Sequence, residues 1–485
     1  MWEVAVQLGT TDRPVFRQIA VAIATDIERG RLAVGTRLAS SRRLALQLGV
    51  NRNTVIAAYD ELCVRGWIAI EATRGAFVVG VPATAKHELA GADGSSTQRY
   101  PDGVGFDMPA QLPLDVPAPR TPNGLLLLGG VPELRGLPFR ALARAYRAAL
   151  SGSHARRLLD YAHPQGNPRL RAALADLMSR VRGVAAPDDA ITIVRGSQHG
   201  LYLAARALIR PGDVVAVEEL GYAPAWRALE LAGATLVPIP IDDDGLDVDA
   251  LDALCAARAV RAVYTTPHHQ YPSTVVLSPA RRARLLELAR RRRMIVLEDD
   301  YDFDFHYAGR PVLPLAAADR HGVVVYFGTL SKCLAPGLRI GYVVAPPAVA
   351  RELSAYRRYV DGQGDAVLEQ AIASLLEDGE VQRHTRRALL MYRRRRDALC
   401  EALHRRLPQL DVRVPTGGMA VWAGAPGIDT DAWVKRGAVA GVTFQAGSMF
   451  RFDRAAHPFL RLGFAACDER ELGEAVERMV RTLAG

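Results

Sequence analysis

Lysine is scarce in this chain. Of the 61 lysine and arginine residues in its 485-residue sequence, only Lys86, Lys332 and Lys435 are lysines. Arginine replaces lysine well on a protein surface, but its guanidinium stays protonated and does not form a Schiff base with an aldehyde. Lys332, which follows an apolar segment, is therefore a candidate for Schiff-base chemistry, and a stray surface lysine is the competing explanation.

Cysteine and long apolar segments are also scarce. The five cysteines are odd in number, widely spaced and never form a C-x-x-C pair, which argues against a disulfide framework and a cysteine zinc site. The adjacent His268 and His269 have no evident third ligand, so no metal site is predicted. No apolar run approaches the roughly 20 residues of a membrane span. The first residues lack a basic region followed by an apolar core, so we expect a cytoplasmic protein.

The length and composition favour a globular protein with more than one domain. A chain of 485 residues can form two or three buried cores, and contents of 49% hydrophobic and 23% charged residues are typical of globular proteins. The net charge of +9 is compatible with a polyanionic partner such as DNA. A solvated, arginine-rich surface explains the same charge equally well.

The segment around Lys332 has the pattern of a strand followed by a ligand-binding loop. The apolar run 323–327 predicts a buried strand, which a tight turn at Gly328 is expected to end. Beyond the turn, a Pro336-Gly337 turn precedes a second apolar run, 340–345. Hydroxyl and guanidinium donors near the lysine could surround a phosphate: Thr329, Ser331 and Arg339.

The S-K-x(6)-R spacing of this segment resembles that of fold-type I, pyridoxal-5′-phosphate (PLP)-dependent aminotransferases. The resemblance implies that PLP forms a Schiff base with Lys332. The remaining chain agrees with that fold, because apolar strands alternate with helices in a pattern that builds a mainly parallel α/β sheet. The predicted strands are 191–194, 214–217, 235–239, 260–265, 294–299, 323–327 and 340–345.

Further cofactor contacts follow from the resemblance. Gly196 precedes a predicted helix whose N-terminus would bind the phosphate through Ser197 and Gln198. The family places an aromatic ring on the pyridine at Tyr222, and an acid at the pyridine nitrogen, for which Asp299 is preferred and Asp300 is the alternative. Donors to the phenolic oxygen and the phosphate complete the set: Tyr301, His269 in the segment TTPHHQYPST, and Tyr161 from the partner of a homodimer.

The C-terminal part would form a smaller α+β subdomain that holds an effector. Arg461 lies in a strand-like run, FLRLGF, that resembles the family strand whose arginine binds a substrate α-carboxylate. The helix containing MYRRRRDALCEALHRRL has four consecutive arginines, for which a solvated face is favoured over DNA contact.

The first 80 residues resemble the winged helix-turn-helix of GntR-type regulators. Three helices and a β-hairpin wing are predicted, with the turn glycine at Gly49 and the wing tip at Gly75. The third helix of this fold enters the major groove of DNA, while the second helix and the wing contact phosphates or the minor groove. The resemblance implies these DNA-binding residues: Arg42, Arg43, Asn51, Arg52, Asn53, Thr54, Arg74 and Gly75.

Head and body together resemble the MocR/GabR type of bacterial transcription regulator. The expected domains are a winged-helix head, 1–80, a linker, 81–124, and an aminotransferase-like body, 125–485, with a small subdomain from 350. The resemblance implies binding of an operator duplex and of an amine or amino-acid effector, or of PLP itself as the signal. A working aminotransferase with an accessory DNA-binding head is the alternative.

Overall fold

The computed structural model describes residues 14–82, 103–108, 124–309 and 311–483, which divide into two compact units, Met1–Pro117 and Ala118–Gly485. Most of the predicted linker, 81–124, lies outside the described residues, as does Lys86.

The head contains three helices and a two-stranded hairpin. Helix α1 spans Val15–Glu28, α2 spans Ser41–Leu48 and α3 spans Arg52–Val64; strands β1, Ile68–Glu71, and β2, Gly75–Val78, pair antiparallel. Its core includes apolar residues from all three helices and the tryptophan before the hairpin: Ile19, Ile23, Leu44, Val55, Leu62 and Trp67. The predicted winged helix-turn-helix is confirmed.

Capping fixes the turn between α2 and α3. The Ser40 hydroxyl accepts a hydrogen bond from the Arg43 amide at 3.3 Å, and Gly49 ends α2 in the left-handed conformation with φ of 67°. The Asn51 side chain then accepts a hydrogen bond from the Asn53 amide at 2.9 Å. The N-terminal turn of α3 therefore begins at a defined place on the surface of the head.

A mixed seven-stranded sheet forms the centre of the large subdomain. Its order is β4-β12-β11-β10-β9-β5-β6, and β12 runs antiparallel to its neighbours on both sides. Apolar side chains on both faces pack beneath helices, so the strands appear in the sequence as short, continuous hydrophobic runs. The strands are β4, Ile191–Val194; β5, Val214–Glu218; β6, Thr235–Ile239; β9, Val260–Thr265; β10, Ile295–Asp300; β11, Val324–Thr329; and β12, Gly341–Val344.

Helices connect these strands and lead into them. They are α4, Phe139–Ser151; α5, Ala155–Leu158; α6, Pro168–Arg182; α7, Ser197–Leu208; α8, Ala223–Leu231; α9, Val248–Ala257; α10, Pro279–Arg292; and α11, Leu315–Ala318. Two short strands, β7, Ile241–Asp242, and β8, Gly245–Leu246, form a hairpin.

Within the described residues, the C-terminal part contains five further helices and a second sheet, and a separate subdomain from residue 350 remains a prediction. Its helices are α12, Pro347–Val360; α13, Ala366–Glu377; α14, Glu380–Arg406; α15, Thr430–Val439; and α16, Glu469–Leu483. Helices α12 and α13 pack against helices of the large sheet. An antiparallel sheet has the order β13, Asp411–Val412; β14, Ala420–Gly424; β17, Phe459–Gly463; and β16, Gln445–Ala446. A parallel pair joins β3, Leu125–Leu126, to β15, Val442–Thr443.

The expected turn at Gly328 is wrong. Gly328 lies inside β11, where it pairs with Asp300 on one side and with Tyr342 on the other. A Cβ atom at this position would overlap the ring of Tyr342, so the glycine is needed for close side-chain packing within the sheet. The strand therefore continues to Thr329.

The solvated face predicted for the four arginines of α14 is also only partly right. Arg395 and Arg396 are buried. Arg395 donates to Glu133 at 2.9 Å, and Arg396 donates to the Pro415 carbonyl at 2.9 Å. These two guanidiniums join separate segments of the body, which the sequence alone does not reveal.

Within the described residues, the helices are too short or too polar to cross a membrane.

Candidate functional site

Lys332 lies just beyond the carboxyl end of β11, at the edge of the sheet where the strand loops converge. Its Nζ atom donates a hydrogen bond to the Gly130 carbonyl at 2.8 Å. Burial lowers the pKa of Lys332 below its usual value, while the charges of Asp302 and Asp299 oppose that shift. The amine is thus more readily deprotonated than a surface lysine, which suits a nucleophile.

Two glycines allow close approaches at the N-terminus of α7, one by the Arg339 guanidinium and one by strand β12. A Cβ on Gly196 would lie 2.9 Å from Nη2 of Arg339, and a Cβ on Gly341 would lie 3.0 Å from the Ser197 amide nitrogen. Gly341 pairs with Thr329 across β12 and β11. The structure therefore gathers a helix N-terminus, a cation and a strand-end hydroxyl, which is the donor set that a phosphate needs.

The side chains of Thr329 and Ser331, next to the N-terminus of α7, are held by hydrogen bonds to each other. The Thr329 hydroxyl donates to the Ser331 hydroxyl at 3.0 Å and accepts from the Ser331 amide at 3.1 Å. The Gln198 amide group donates to the Pro224 carbonyl at 2.7 Å, while its buried Oε1 atom has no partner among the described residues.

The two candidate acids of β10 have different surroundings. Asp299 accepts a hydrogen bond from Tyr264 at 2.8 Å through Oδ2, and its buried Oδ1 atom lacks a partner in the part of the chain that the structure describes. Burial raises the pKa of Asp299 to about 7. Asp300 instead accepts from Tyr326 at 2.8 Å and lies 3.8 Å from the buried Arg182. Both aspartates keep one oxygen without a partner among the described residues, but Asp300 alone lies beside a buried guanidinium, which favours Asp299 as the cofactor acid.

Three tyrosine rings form a cluster next to Lys332 and Arg461. The Tyr271 ring contacts Tyr222 edge-on at 5.5 Å and Tyr301 at 5.9 Å between ring centroids. The Arg461 guanidinium lies 4.4 Å from the centroid of Tyr271. The predicted residues Tyr222, Tyr301 and Arg461 are thus brought together, and Tyr271 joins them.

Arg461 is completely buried, with 0% exposure, yet only part of its guanidinium is satisfied. Nη1 donates to the Pro272 carbonyl, whereas Nε and Nη2 have no partner among the residues described. Gly129 leaves room for this side chain, because a Cβ there would overlap Nε. Buried guanidinium nitrogens without acceptors are expensive, and a ligand carboxylate would satisfy two of them.

His269 has a different environment from the one expected. Its Nδ1 atom is 2.8 Å from Asp302, and its Nε2 atom faces Gly417. Its role at the phenolic oxygen of PLP remains a prediction, whereas the Tyr301 hydroxyl reaches the same loop by donating to the His269 carbonyl at 3.0 Å. The argument that no third ligand accompanies the histidine pair is wrong, because His306 lies beside it.

Tyr161 stands apart from these groups. Its side chain is 98% exposed in the single chain. It lines a surface groove of about 730 Å³ together with Arg358 and Gln363. The structure therefore does not bring Tyr161 to the Lys332 site of its own chain.

Sequence reasoning missed the residues that hold the 266–272 loop. The buried Glu218 carboxylate accepts hydrogen bonds from Thr265 at 2.7 Å, from the Thr266 hydroxyl at 2.8 Å and from Gln270 at 3.1 Å. This network positions Tyr271. The only sequence signal was an acid at the end of an apolar strand, and that signal does not identify its partners.

The residues present fit PLP. Within the described part of the chain, buried polar atoms with no protein partner occur where the cofactor and its ligand would need them, on Asp299, Gln198 and Arg461. Glycines at 196 and 341 let the Arg339 guanidinium and β12 approach the Ser197 amide, the donors that a phosphate needs. Lys332 is the predicted residue of covalent attachment, and PLP is the cofactor of this fold.

The head presents exposed cations on the elements expected to meet DNA. Arg42 and Arg43 are exposed at the start of α2, and Asn51, Arg52 and Asn53 are exposed at the start of α3. Thr54 is half-buried in the same turn of α3.

One arginine of the wing and one from outside it lie at the wing tip. Exposed Arg74 pairs with Glu71 at 2.8 Å, next to Gly75 with φ of 109°. The side chain of Arg37, which was not predicted, lies beside Gly75: a Cβ there would be 3.3 Å from its Nε. The wing tip is therefore more cationic than its own sequence indicates.

Comparisons with known proteins agree with the structures of both the head and the body. The family of aminotransferases of class I and II matches residues 130–479, and the gntR family of bacterial regulatory proteins matches residues 16–78. The chain is 32% identical to the probable rhizopine catabolism regulatory protein MocR of Rhizobium meliloti, over 96% of this chain and 93% of that protein. It is 31% identical to the transcriptional regulator TauR of Rhodobacter capsulatus, over 95% of each chain.

Among solved structures, the kynurenine aminotransferase of Pyrococcus horikoshii, determined in complex with PMP, is similar to the body. The TM-score is 0.70 at 32% identity, and the match covers 75% of this chain and 91% of that one.

A winged-helix DNA-binding head joined to a PLP-binding aminotransferase-like body defines a class of transcription regulator. The chain belongs to the aminotransferase class I and II family, and its full-length relatives make it a MocR-type regulator of the gntR family.

Proposed function

We propose that the body senses an amino acid whose carboxylate is bound by Arg461 and whose amine reaches the cofactor at Lys332. The observation that supports this most strongly is the buried guanidinium of Arg461, whose Nε and Nη2 atoms have no acceptor among the described side chains and backbone. Aromatic rings of Tyr222, Tyr271 and Tyr301 border the same space, so an α-amino acid would meet a cation and an apolar wall.

Each predicted cofactor contact has a physical role in this proposal. Asp299 holds the pyridine nitrogen protonated, and Tyr264 orients its carboxylate. Tyr222 would stack on the ring and Tyr301 would bind the phenolic oxygen; His269, the second predicted donor, has its ring nitrogens at Asp302 and Gly417. The phosphate is held by Ser197, Gln198, Thr329, Ser331 and Arg339. When bound, PLP supplies an electrophilic carbon that accepts an amine and a ring that withdraws electrons from it.

The head is proposed to read an operator, with 81–124 as the linker between head and body. A regulator that binds an operator acts in the cytoplasm. In a second form of the proposal, PLP itself is the regulatory signal. Amino acids then leave the affinity of the protein for DNA unchanged.

A working aminotransferase is the second candidate function. The set of Lys332, Asp299 and Arg461 favours it, because an amine, a ring acid and a carboxylate clamp are the groups that transamination uses. Release of a keto acid in repeated turnover with an added keto-acid acceptor would identify the enzyme. A spectral change without repeated turnover supports the sensor.

The effector proposal is tested by screening amino acids for a change in the visible absorption of the PLP-loaded protein. We expect Arg461→Lys to retain the cofactor band but to bind the responding amino acid about 10- to 100-fold more weakly, since a charged hydrogen-bonded contact contributes about 1.5–3 kcal/mol. The exposed Arg470, changed to lysine, is the matched control and should leave the affinity unchanged. Equal affinity in Arg461→Lys and the wild type would contradict the role of Arg461.

We further propose a homodimer, in which Tyr161 reaches the phosphate of the partner. Its 98% exposure and the exposed Leu159 beside it favour a surface that another chain covers. Light scattering at micromolar concentration should give twice the mass of the chain. Tyr161→Phe should keep the dimer and release the cofactor several-fold faster, because only the hydroxyl is lost. A monomer that holds PLP tightly would rule out this arrangement.

A further inference from the structure

Three histidines, of which only His269 was predicted as a cofactor contact, meet at one place in the body. His268 and His269 follow strand β9, and His306 follows strand β10. Ring nitrogens of all three lie within 4.8 Å of one another. The His269 and His306 rings stack with centroids 5.9 Å apart, and the His268 and His269 rings are 4.3 Å apart. Residues far apart in the sequence thus converge in one cluster.

The hydrogen-bonding capacity of this cluster is largely unused. His268 and His269 are 2% and 1% exposed. Among the described residues, no partner is found for either ring nitrogen of His268, for Nε2 of His269 or for Nδ1 of His306. A buried polar atom left unsatisfied costs about 1–3 kcal/mol, so four such atoms in one cluster call for a common partner.

A carboxylate orients one of the rings. Asp302 Oδ1 lies 2.8 Å from His269 Nδ1, and both side chains are buried. If Nδ1 donates to Asp302, the lone pair of His269 is on Nε2, the nitrogen that is left to bind a metal. Carboxylate–histidine pairs of this kind hold metal-binding imidazoles in the correct tautomer.

Nε2 of His269 packs closely against the backbone at residue 417. A Cβ atom at residue 417 would overlap that nitrogen, and residue 417 is glycine. The same glycine pairs with His306 in an isolated antiparallel bridge, which fixes the third histidine nearby. His306 is only half-buried, so its side of the cluster gives solvent a route inward.

The charges around the cluster are compatible with a cation. Arg282 is the nearby guanidinium, but it donates to the backbone carbonyls of Leu277, Leu313 and Pro267, which hold it in place. Asp302 and Asp300 supply negative charge.

We propose that His268, His269 and His306 bind a divalent transition metal of the Zn²⁺ type, with Asp302 as the carboxylate that orients His269. Three imidazoles with a fourth position open to water are a usual zinc ligand set. Zinc–nitrogen bonds of about 2.0–2.1 Å in tetrahedral geometry place the nitrogens about 3.3 Å apart, so the rings close in by small rotations when the ion binds.

Metal analysis of the full-length, PLP-loaded protein tests this proposal. The protein is treated with a chelator, incubated with a small excess of Zn²⁺, desalted and analysed for zinc by mass spectrometry. We expect one zinc per chain, and a tetrahedral d–d spectrum when Co²⁺ replaces Zn²⁺. His306→Gln should weaken Zn²⁺ binding by at least about tenfold, because one of three protein ligands is lost.

The control is His404→Gln, since this histidine of α14 lies near the Val412 carbonyl and outside the cluster. His404→Gln should bind zinc like the wild type. Asp302→Asn provides a second variant if His306→Gln is unstable, and it should bind zinc about 10- to 100-fold more weakly. Wild-type protein without stoichiometric zinc, or equal zinc affinity in His306→Gln and the wild type, would overturn the proposal.

Discussion

Replacement of Lys332 by alanine is expected to abolish the visible absorption of the PLP-loaded protein. Lys332 is the lysine at the carboxyl edge of the sheet, and its amine lies among Gly130, Asp299 and Asp302. Lys332→Arg should be equally colourless, because a guanidinium keeps the positive charge but does not form the covalent bond. Absorption spectra after incubation with PLP and removal of the excess measure the effect.

Lys435→Ala is the matched control. Lys435 lies on the exposed surface of α15, so its loss should leave the absorption unchanged. A band of wild-type intensity in either Lys332 variant would mean that PLP is attached elsewhere or is held without a covalent bond.

The second large effect is expected in the head. Arg52 is exposed in the first turn of α3, and its Nε atom lies 3.3 Å from the Ser41 hydroxyl, which directs the side chain along the start of the helix. A guanidinium here can bind the edge of a guanine with two hydrogen bonds. Arg52→Ala should therefore cost about 1–3 kcal/mol on the preferred duplex and little on a scrambled one.

Arg74→Ala provides the comparison. A wing arginine that contacts phosphate or the minor groove should weaken binding to both duplexes similarly and reduce the salt slope by about 1. Both variants should retain the absorption of bound PLP, because Lys332 is in the other unit. Titrations on both duplexes at several salt concentrations separate the two cases; unchanged discrimination in Arg52→Ala would mean that α3 is not the helix that reads bases.

The sequence predicted the fold well because its strands are nearly all buried on both faces. Continuous apolar runs identified the seven strands of the large sheet, with ends that differ by at most two residues. The error at Gly328 has a specific cause. Glycine usually marks a turn, but here the ring of Tyr342 from the next strand takes the place of its side chain. That contact depends on the register between β11 and β12, which the sequence of one strand does not contain.

The candidate site was predictable where family motifs are local and unpredictable where distant segments meet. Asp299 and Arg461 lie in recognisable strands, and Lys332 follows one. Tyr271 was overlooked, since its position depends on the hydrogen bonds that Glu218 makes with the loop. The histidine cluster escaped notice for the same reason, because His306 belongs to a different loop from His268.

In the proposed regulator, an amino acid bound in the body changes the affinity of the head for DNA. This regulation is tested most directly by fluorescence anisotropy with a labelled duplex that the wild-type protein selects from a random-sequence pool. Amino acids that alter the PLP absorption are added to PLP-loaded wild type and Arg461→Lys. We expect at least one of these amino acids to change the duplex affinity of the wild type. Arg461→Lys should require much higher concentrations of it for the same change. If the duplex affinity stays constant while the PLP absorption responds, the bound amino acid does not regulate DNA binding.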